Sequence, residues 1–257
     1  MEQITNRKMD KAFSDLLSRQ DYLVTQANDL AKAFGNLNTF EHKVLDFCFS
    51  YVQADDNPDT VYKANSKDIL RHLGLNQSGR NYNRVIKAFK GLNEKTAIYM
   101  LVKRGDHTGI LMTSLFDSIE IMEDGQTEFS FSRKVAPYVF NLKKQFYSFK
   151  LSELARVHSK YALSLLKLWN ANSIGKLQDA TIQGTLTDWE GWFLGSDDEG
   201  KTRHWPAGRF KQKVLNVALK EIGNLYPKMT FILTTIKDGR KVVGYRLNIH
   251  PVKEIED

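Results

Sequence analysis

Arg209, Gln212, Lys213, Asn216 and Lys220 fall at steps of three, one, three and four residues in a stretch, RFKQKVLNVALK, that holds no acid. Arg and Lys side chains neutralise phosphates or donate to guanine edges, and Gln and Asn pair with adenine edges. An α-helix turning about 100° per residue collects the five on one side. Lys211 adds a further cation. Phe210, Val214, Val217, Ala218 and Leu225 are expected on the opposite, apolar side. A face that only met solvent would mix in acids, because opposite charges four residues apart stabilise an isolated helix. The first acid, Glu221, comes after the cationic face.

A second stretch, RNYNRVIKAFKGLNEK, splits in the same way. Arg80, Asn83, Arg84, Lys87 and Lys90 form one side, and Tyr82, Val85, Phe89 and Leu92 the other. Lys237, Arg240 and Lys241 cluster at a third place, where Asp238-Gly239 suits a tight hairpin turn. Such a tip grips phosphates beside a groove. Lys103 and Arg104 in VKRGDHTG are the candidate for a matching tip in the first half.

The 257 residues carry a net charge of +7, which favours an anionic partner. The chemistry of catalysis is missing from the pattern. Strand-nicking enzymes use a His-x-His pair for a metal and a Tyr nucleophile, but His42, His72, His107, His158, His204 and His250 stand apart. There is no Gly-x-x-x-x-Gly-Lys-Ser/Thr loop for a nucleotide. The single cysteine, Cys48, allows neither an internal disulfide nor a cysteine zinc site. The acids of SDDEG and DDNPD read as solvated turns, and Trp189, Trp192 and Phe193 as core rather than a stacking platform. No catalytic residue, metal or cofactor is therefore expected. The absence of a signal-peptide pattern and of a long apolar run points to a cytoplasmic protein with no membrane partner.

The elements that must hold these faces recur in one order. NTFEHKVLDFCFSYVQ predicts a helix through Phe40, Val44, Cys48 and Tyr51, with Asn38 and Glu41 as a capping box. NSKDILRHLGL predicts a short helix, NQSG a turn, and the Arg80 stretch a longer helix. AIYMLVKR, GILMTSLFDSIEIM and TEFSFS are strand-like. In the second half, SKYALSLLKLWNAN, TDWEGWFLG and the Arg209 stretch are helices, with Thr187 and Glu190 at capping-box spacing. MTFILTTI and KVVGYRLNI then make a hairpin. Helix, short helix, turn, basic helix and hairpin occur twice. The expected fold class is α+β, with two tandem winged helix-turn-helix domains. The expected division is an arm or short helix at 1–27, a first winged-helix domain at 28–145 and a second at 146–257.

The chain resembles the iteron-binding initiator proteins of theta-replicating plasmids, the Rep family with two winged-helix domains. SKYALSLLKLW is similar to the family's Ser-Lys-Tyr helix, FKQKVLNVALKEI to its recognition helix, and KDGRKVVGYRLNI to its Gly-Arg-Lys wing. NDLAKAFGNLNTFEHKVLDF is more loosely similar to its opening segment. Many members carry an Arg where this chain has Ser164, so a phosphate contact there would fall to Lys160 or Lys167. The resemblance implies binding to direct repeats in double-stranded origin DNA, with one helix of each domain in the major groove. It implies help in opening AT-rich DNA and recruitment of the host's replication initiator and helicase. It also implies a monomer–dimer equilibrium in which the first domain supplies the dimer contact and the dimer represses its own promoter. A winged-helix transcriptional regulator with no replication role shares every residue pattern above. A nuclease or nicking enzyme is the further alternative.

Overall fold

Asn38 fixes the start of the first described helix, α1 (Thr39–Tyr51). Its side chain accepts from the backbone N–H groups of Phe40 and Glu41, and the Glu41 carboxylate accepts from Asn38 N at 2.8 Å. Two orphan donors are satisfied by this reciprocal pair. The computed structural model describes residues 34–53, 55–145, 156–173, 179–196 and 201–252. The expected arm at 1–27 and the acids at 197–200 lie outside them.

After α1 come β1 (Val61–Asn65), α2 (Ser66–His72) and α3 (Gly79–Lys95). Four strands follow, β2 (Ala97–Arg104), β3 (His107–Ser114), β4 (Phe116–Ile121) and β5 (Gln126–Phe131), and then α4 (Ala136–Gln145). The second half runs α5 (Lys160–Asn172), β6 (Ala180–Thr185), α6 (Leu186–Leu194), a long helix α7, β7 (Met229–Asp238) and β8 (Lys241–Pro251). Helix α7 comprises Ala207–Phe210, a wide π-type segment at Lys211–Leu215, and Asn216–Leu225.

Each half builds the same sheet. In the first, the order is β1-β5-β4, and in the second β6-β8-β7. The strand before the short helix pairs with the last strand of the terminal hairpin. Helix, strand, helix, helix and hairpin around such a sheet is the winged-helix arrangement, and the chain contains it twice. Sequence reading misses β1, β6 and α4. Both missed strands are five or six residues long and run directly into the next helix, so their alternation is too short to stand out.

Three expectations about elements are corrected. The GILMTSLFDSIEIM run is two strands in two sheets, not one strand. Buried Leu115 marks the crossing from β3, which pairs with β2, to β4, which pairs with β5. The β2–β3 hairpin thus forms a sheet of its own. The VKRGDHTG tip is therefore not the counterpart of the β7–β8 tip; β4–β5 holds that place. The capping box of α6 is also shifted. Thr185 and Asp188 form it, with Thr185 Oγ1 accepting from Asp188 N at 3.1 Å and Asp188 Oδ2 accepting from Thr185 N at 2.8 Å. Glu190 is fully buried instead, accepting from Trp205 N at 2.9 Å and pairing with His204 Nδ1 at 2.6 Å.

Two apolar cores result. One contains Phe49, Phe89, Phe116, Phe129 and Phe131 with helices α1 to α4 around it. The other contains Trp169, Trp189, Phe193, Phe210 and Tyr245. Trp189 Nε1 donates to Tyr245 O at 3.0 Å; Trp189 and Phe193 are interior, as expected, and Trp192 is half-buried against the same core. Among the described residues no helix is long and apolar enough to cross a membrane.

Helices α1 and α5 join the halves. Lys167 Nζ is 2.8 Å from Asp46 Oδ1 and 3.0 Å from His42 Nδ1, with all three side chains buried. Lys160 Nζ donates to Gly35 O at 3.2 Å, and Asn36 Oδ1 accepts from Ser196 N at 2.9 Å. A Cβ on Gly35 would sit 2.4 Å from Gly191 O, so only glycine allows this approach. Ser164 is buried on the same helix. Lys167 is buried and consequently does not supply the surface phosphate contact suggested by the Ser164 departure. Lys160 is half-buried, with its ammonium on Gly35 O.

Candidate nucleic-acid interface

Helix α7 starts at Ala207, with Pro206 as its N-cap. Phe210, Val214, Leu215, Ala218 and Ile222 are buried. Arg209, Gln212, Lys213, Asn216 and Lys220 are exposed, and Lys211 is half-buried with Nζ 3.4 Å from Thr235 Oγ1 on β7. Glu221 is turned away from that row. Its carboxylate accepts from His158 N at 2.5 Å and Ser159 N at 3.0 Å, capping the entrance of α5.

Val217 is the exception to the expected split. It is 41% exposed, although uniform helical counting puts it beside Phe210. The wide turn at Lys211–Leu215 is the reason. A π-type segment advances by roughly 80° per residue, against about 100° in an α-helix, so five such residues lag by about a quarter turn. With that lag the buried set draws into a narrow stripe. Arg209, Lys213 and Val217 fall into one outer row, and Gln212, Asn216 and Lys220 into the next.

Helix α3 opens on Ser78, whose side chain accepts from Asn81 N. Val85, Ala88, Phe89 and Leu92 are buried, while Arg80, Asn83, Arg84, Lys87 and Lys90 are exposed. Lys90 Nζ lies 3.6 Å from Glu94 on the outer side. Such an exposed pair is weak and leaves Lys90 available to a phosphate. At the second hairpin, Lys237, Arg240 and Lys241 are exposed around Gly239, whose φ of 57° supplies the left-handed residue of the two-residue turn.

Two arginines are held by aromatic rings. The Arg209 guanidinium lies 4.5 Å from the Trp205 ring centroid, and that of Arg84 lies 4.4 Å from Phe40. Stacking of this kind orients the planar group and leaves its edge donors outward. Trp205 and Thr235 come from other elements than the helix they support, so helical spacing cannot reveal them. The Trp-Pro step before α7 is the sequence signal that was there to find. Among the described residues there is no cluster of His, Cys, Asp and Glu able to hold a metal.

The family model described as Initiator Replication protein, WH1, matches residues 23–170, and that of Initiator Rep protein, WH2, matches residues 194–249. The chain belongs to the initiator replication protein family. No curated protein matches it. Among solved structures, it is similar to the Pi initiator protein in complex with iteron DNA. The identity is 19%, with 89% of this chain and 95% of that chain covered and a TM-score of 0.64. It is also similar to domains 2 and 3 of RctB, at 12% identity, 85% and 84% coverage and a TM-score of 0.50. These likenesses show the shared two-domain winged-helix fold.

The two units of this initiator differ at their wings. The β7–β8 tip is basic. The β4–β5 hairpin that replaces the expected first wing carries Asp117, Glu120, Glu123, Asp124 and Glu128 and no Lys or Arg. Lys103 and Arg104 sit on the separate β2–β3 hairpin, where they line a groove with His107 and Lys134.

Proposed function

We propose that this initiator binds direct repeats of a plasmid origin as double-stranded DNA. Helices α3 and α7 enter successive major-groove segments, and the β7–β8 tip holds the flanking phosphates. The observation that carries the reading is the exposed face Arg209, Gln212, Lys213, Asn216 and Lys220, which contains no acid and sits on the helix that follows a short helix in a winged-helix unit. The acidic β4–β5 hairpin is repelled by a phosphate backbone, so α3 works without a basic wing and the second unit supplies most of the electrostatic grip. In the same reading the protein helps open adjacent AT-rich DNA, contacts the host's initiator and helicase, and represses its own promoter as a dimer, roles that the family resemblance suggests. The similarity to the Pi initiator protein, whose structure is in complex with iteron DNA, supports the choice of direct repeats as ligand.

Gel shifts against DNA beside the coding region test the reading. Tandem repeats of roughly 20 base pairs, about two helical turns, suit two recognition helices. Preference for such an array over a scrambled duplex supports the proposal. Preference for a lone palindrome instead turns the protein into a regulator, and equal binding to scrambled DNA removes sequence reading altogether.

A further inference from the structure

Among the helix residues whose exposure is described, two large aliphatic side chains are exposed, Ile86 at 47% and Val217 at 41%. Both lie on the faces assigned above to DNA. Val217 continues the row of Arg209 and Lys213 and is three residues from Lys220. Ile86 lies between Asn83 and Lys90, at three- and four-residue spacing, where side chains of a helix are neighbours. Isolated surface aliphatics are common, but these two, among the helix residues whose exposure is described, fall one on each cationic face. Both are β-branched, which gives no gain to a solvated helix. Each side chain is branched and rigid; Val217 has Lys213 and Lys220 about it, and Ile86 has Asn83 and Lys90.

We propose that Ile86 and Val217 are specificity-determining residues that read thymine through its 5-methyl group, one in each half of the repeat. This rests on the duplex-binding reading above. The methyl group is the one apolar feature that a base pair presents in the major groove. The flanking cations fix the helix against the phosphates. An exposed aliphatic between them is then pressed against the base edges, where a methyl is the partner that compensates its desolvation.

The test uses the full-length protein and a duplex enriched by it from a randomised pool. Each thymine is replaced in turn by deoxyuridine, which removes the methyl and keeps every hydrogen-bonding group. Wild-type affinity is expected to fall about fourfold at one thymine or more in each half, the size of one buried methyl. Ile86→Ser is expected to abolish the sensitivity in one half only, and Val217→Ser in the other. Ile86→Val, which keeps a branched apolar surface, is expected to retain it. Circular dichroism checks that the variants fold, which their exposed positions favour. A flat deoxyuridine scan with tight, salt-sensitive, sequence-selective binding intact overturns the methyl reading and leaves duplex recognition standing. Failure to enrich any sequence overturns both.

Discussion

Lys167 on α5 and Asp46 on α1 form a buried ion pair, 2.8 Å apart, that ties one winged-helix unit to the other. Their side chains are 1% and 0% exposed. Removing one partner leaves the other charge buried, which typically costs about 3–5 kcal/mol. Lys167→Ala or Asp46→Ala should therefore lower stability by that order in urea denaturation. Lys167→Met combined with Asp46→Leu should lose less than either alanine variant, because no charge is stranded. A loss no larger than that of a surface pair would show that the contact is open to water.

His42 adjoins the same pair, with Lys167 Nζ 3.0 Å from its Nδ1. Burial, then the charges of Lys167 and Lys160, hold its pKa well below the ordinary histidine value. In the unfolded chain it takes a proton near pH 6.5. Between that pH and its lower folded value, the unfolded state binds more protons, so stability falls as pH falls. Above about pH 6.5 the effect is absent. Urea midpoints taken from pH 7.5 to 5.5 should show a slope from this group of up to about 1.4 kcal/mol per pH unit. His42→Gln should flatten that slope.

Lys213 and Asn216 occupy adjacent outer rows of α7 and have different jobs in the account. Lys213→Ala should weaken binding to all sequences and make the log–log salt slope less steep by about 0.9, the loss of one phosphate. Asn216→Ala should leave the salt slope unchanged and cost about 1–3 kcal/mol of discrimination at one position, if it pairs with a base edge. Fluorescence anisotropy across a salt series, with matched and single-substituted duplexes, separates the two.

The wings should be unequal. Arg240→Ala with Lys241→Ala should weaken duplex binding and make the salt slope less steep by up to about 1.8, on the rule of about 0.9 per phosphate. Glu123→Gln with Asp124→Asn, at the β4–β5 turn, should leave affinity unchanged or raise it slightly by removing repulsion. Loss of affinity in the second variant would place that acidic tip on a DNA contact.

Much of this architecture is visible in residue spacing. The capping box at Asn38 and Glu41, the β2 strand and the presence of a tight turn at Gly239 follow from local chemistry, although the turn residues are Gly239-Arg240 and Asp238 closes β7 opposite Lys241. The buried and exposed sides of α3 also follow, because a regular helix keeps its phase over its length. The side of Val217 does not, since the wide turn at Lys211–Leu215 shifts the phase and no residue type announces it. The wing of the first unit is hidden for another reason. Alternation marks β2–β3 and β4–β5 equally as hairpins, and only pairing with β1 decides which one completes the sheet. Lys167 looks like a surface cation in one dimension, and its partner Asp46 is 121 residues away.

Guanine methylation interference on one repeat tests the central claim most directly, because N7 lies in the major groove. The account predicts two blocks of interference about one helical turn apart, roughly 10 base pairs. One block should vanish with Asn83→Ala and Lys87→Ala, and the other with Lys213→Ala and Asn216→Ala. A single block, or two blocks that both survive these substitutions, would contradict it.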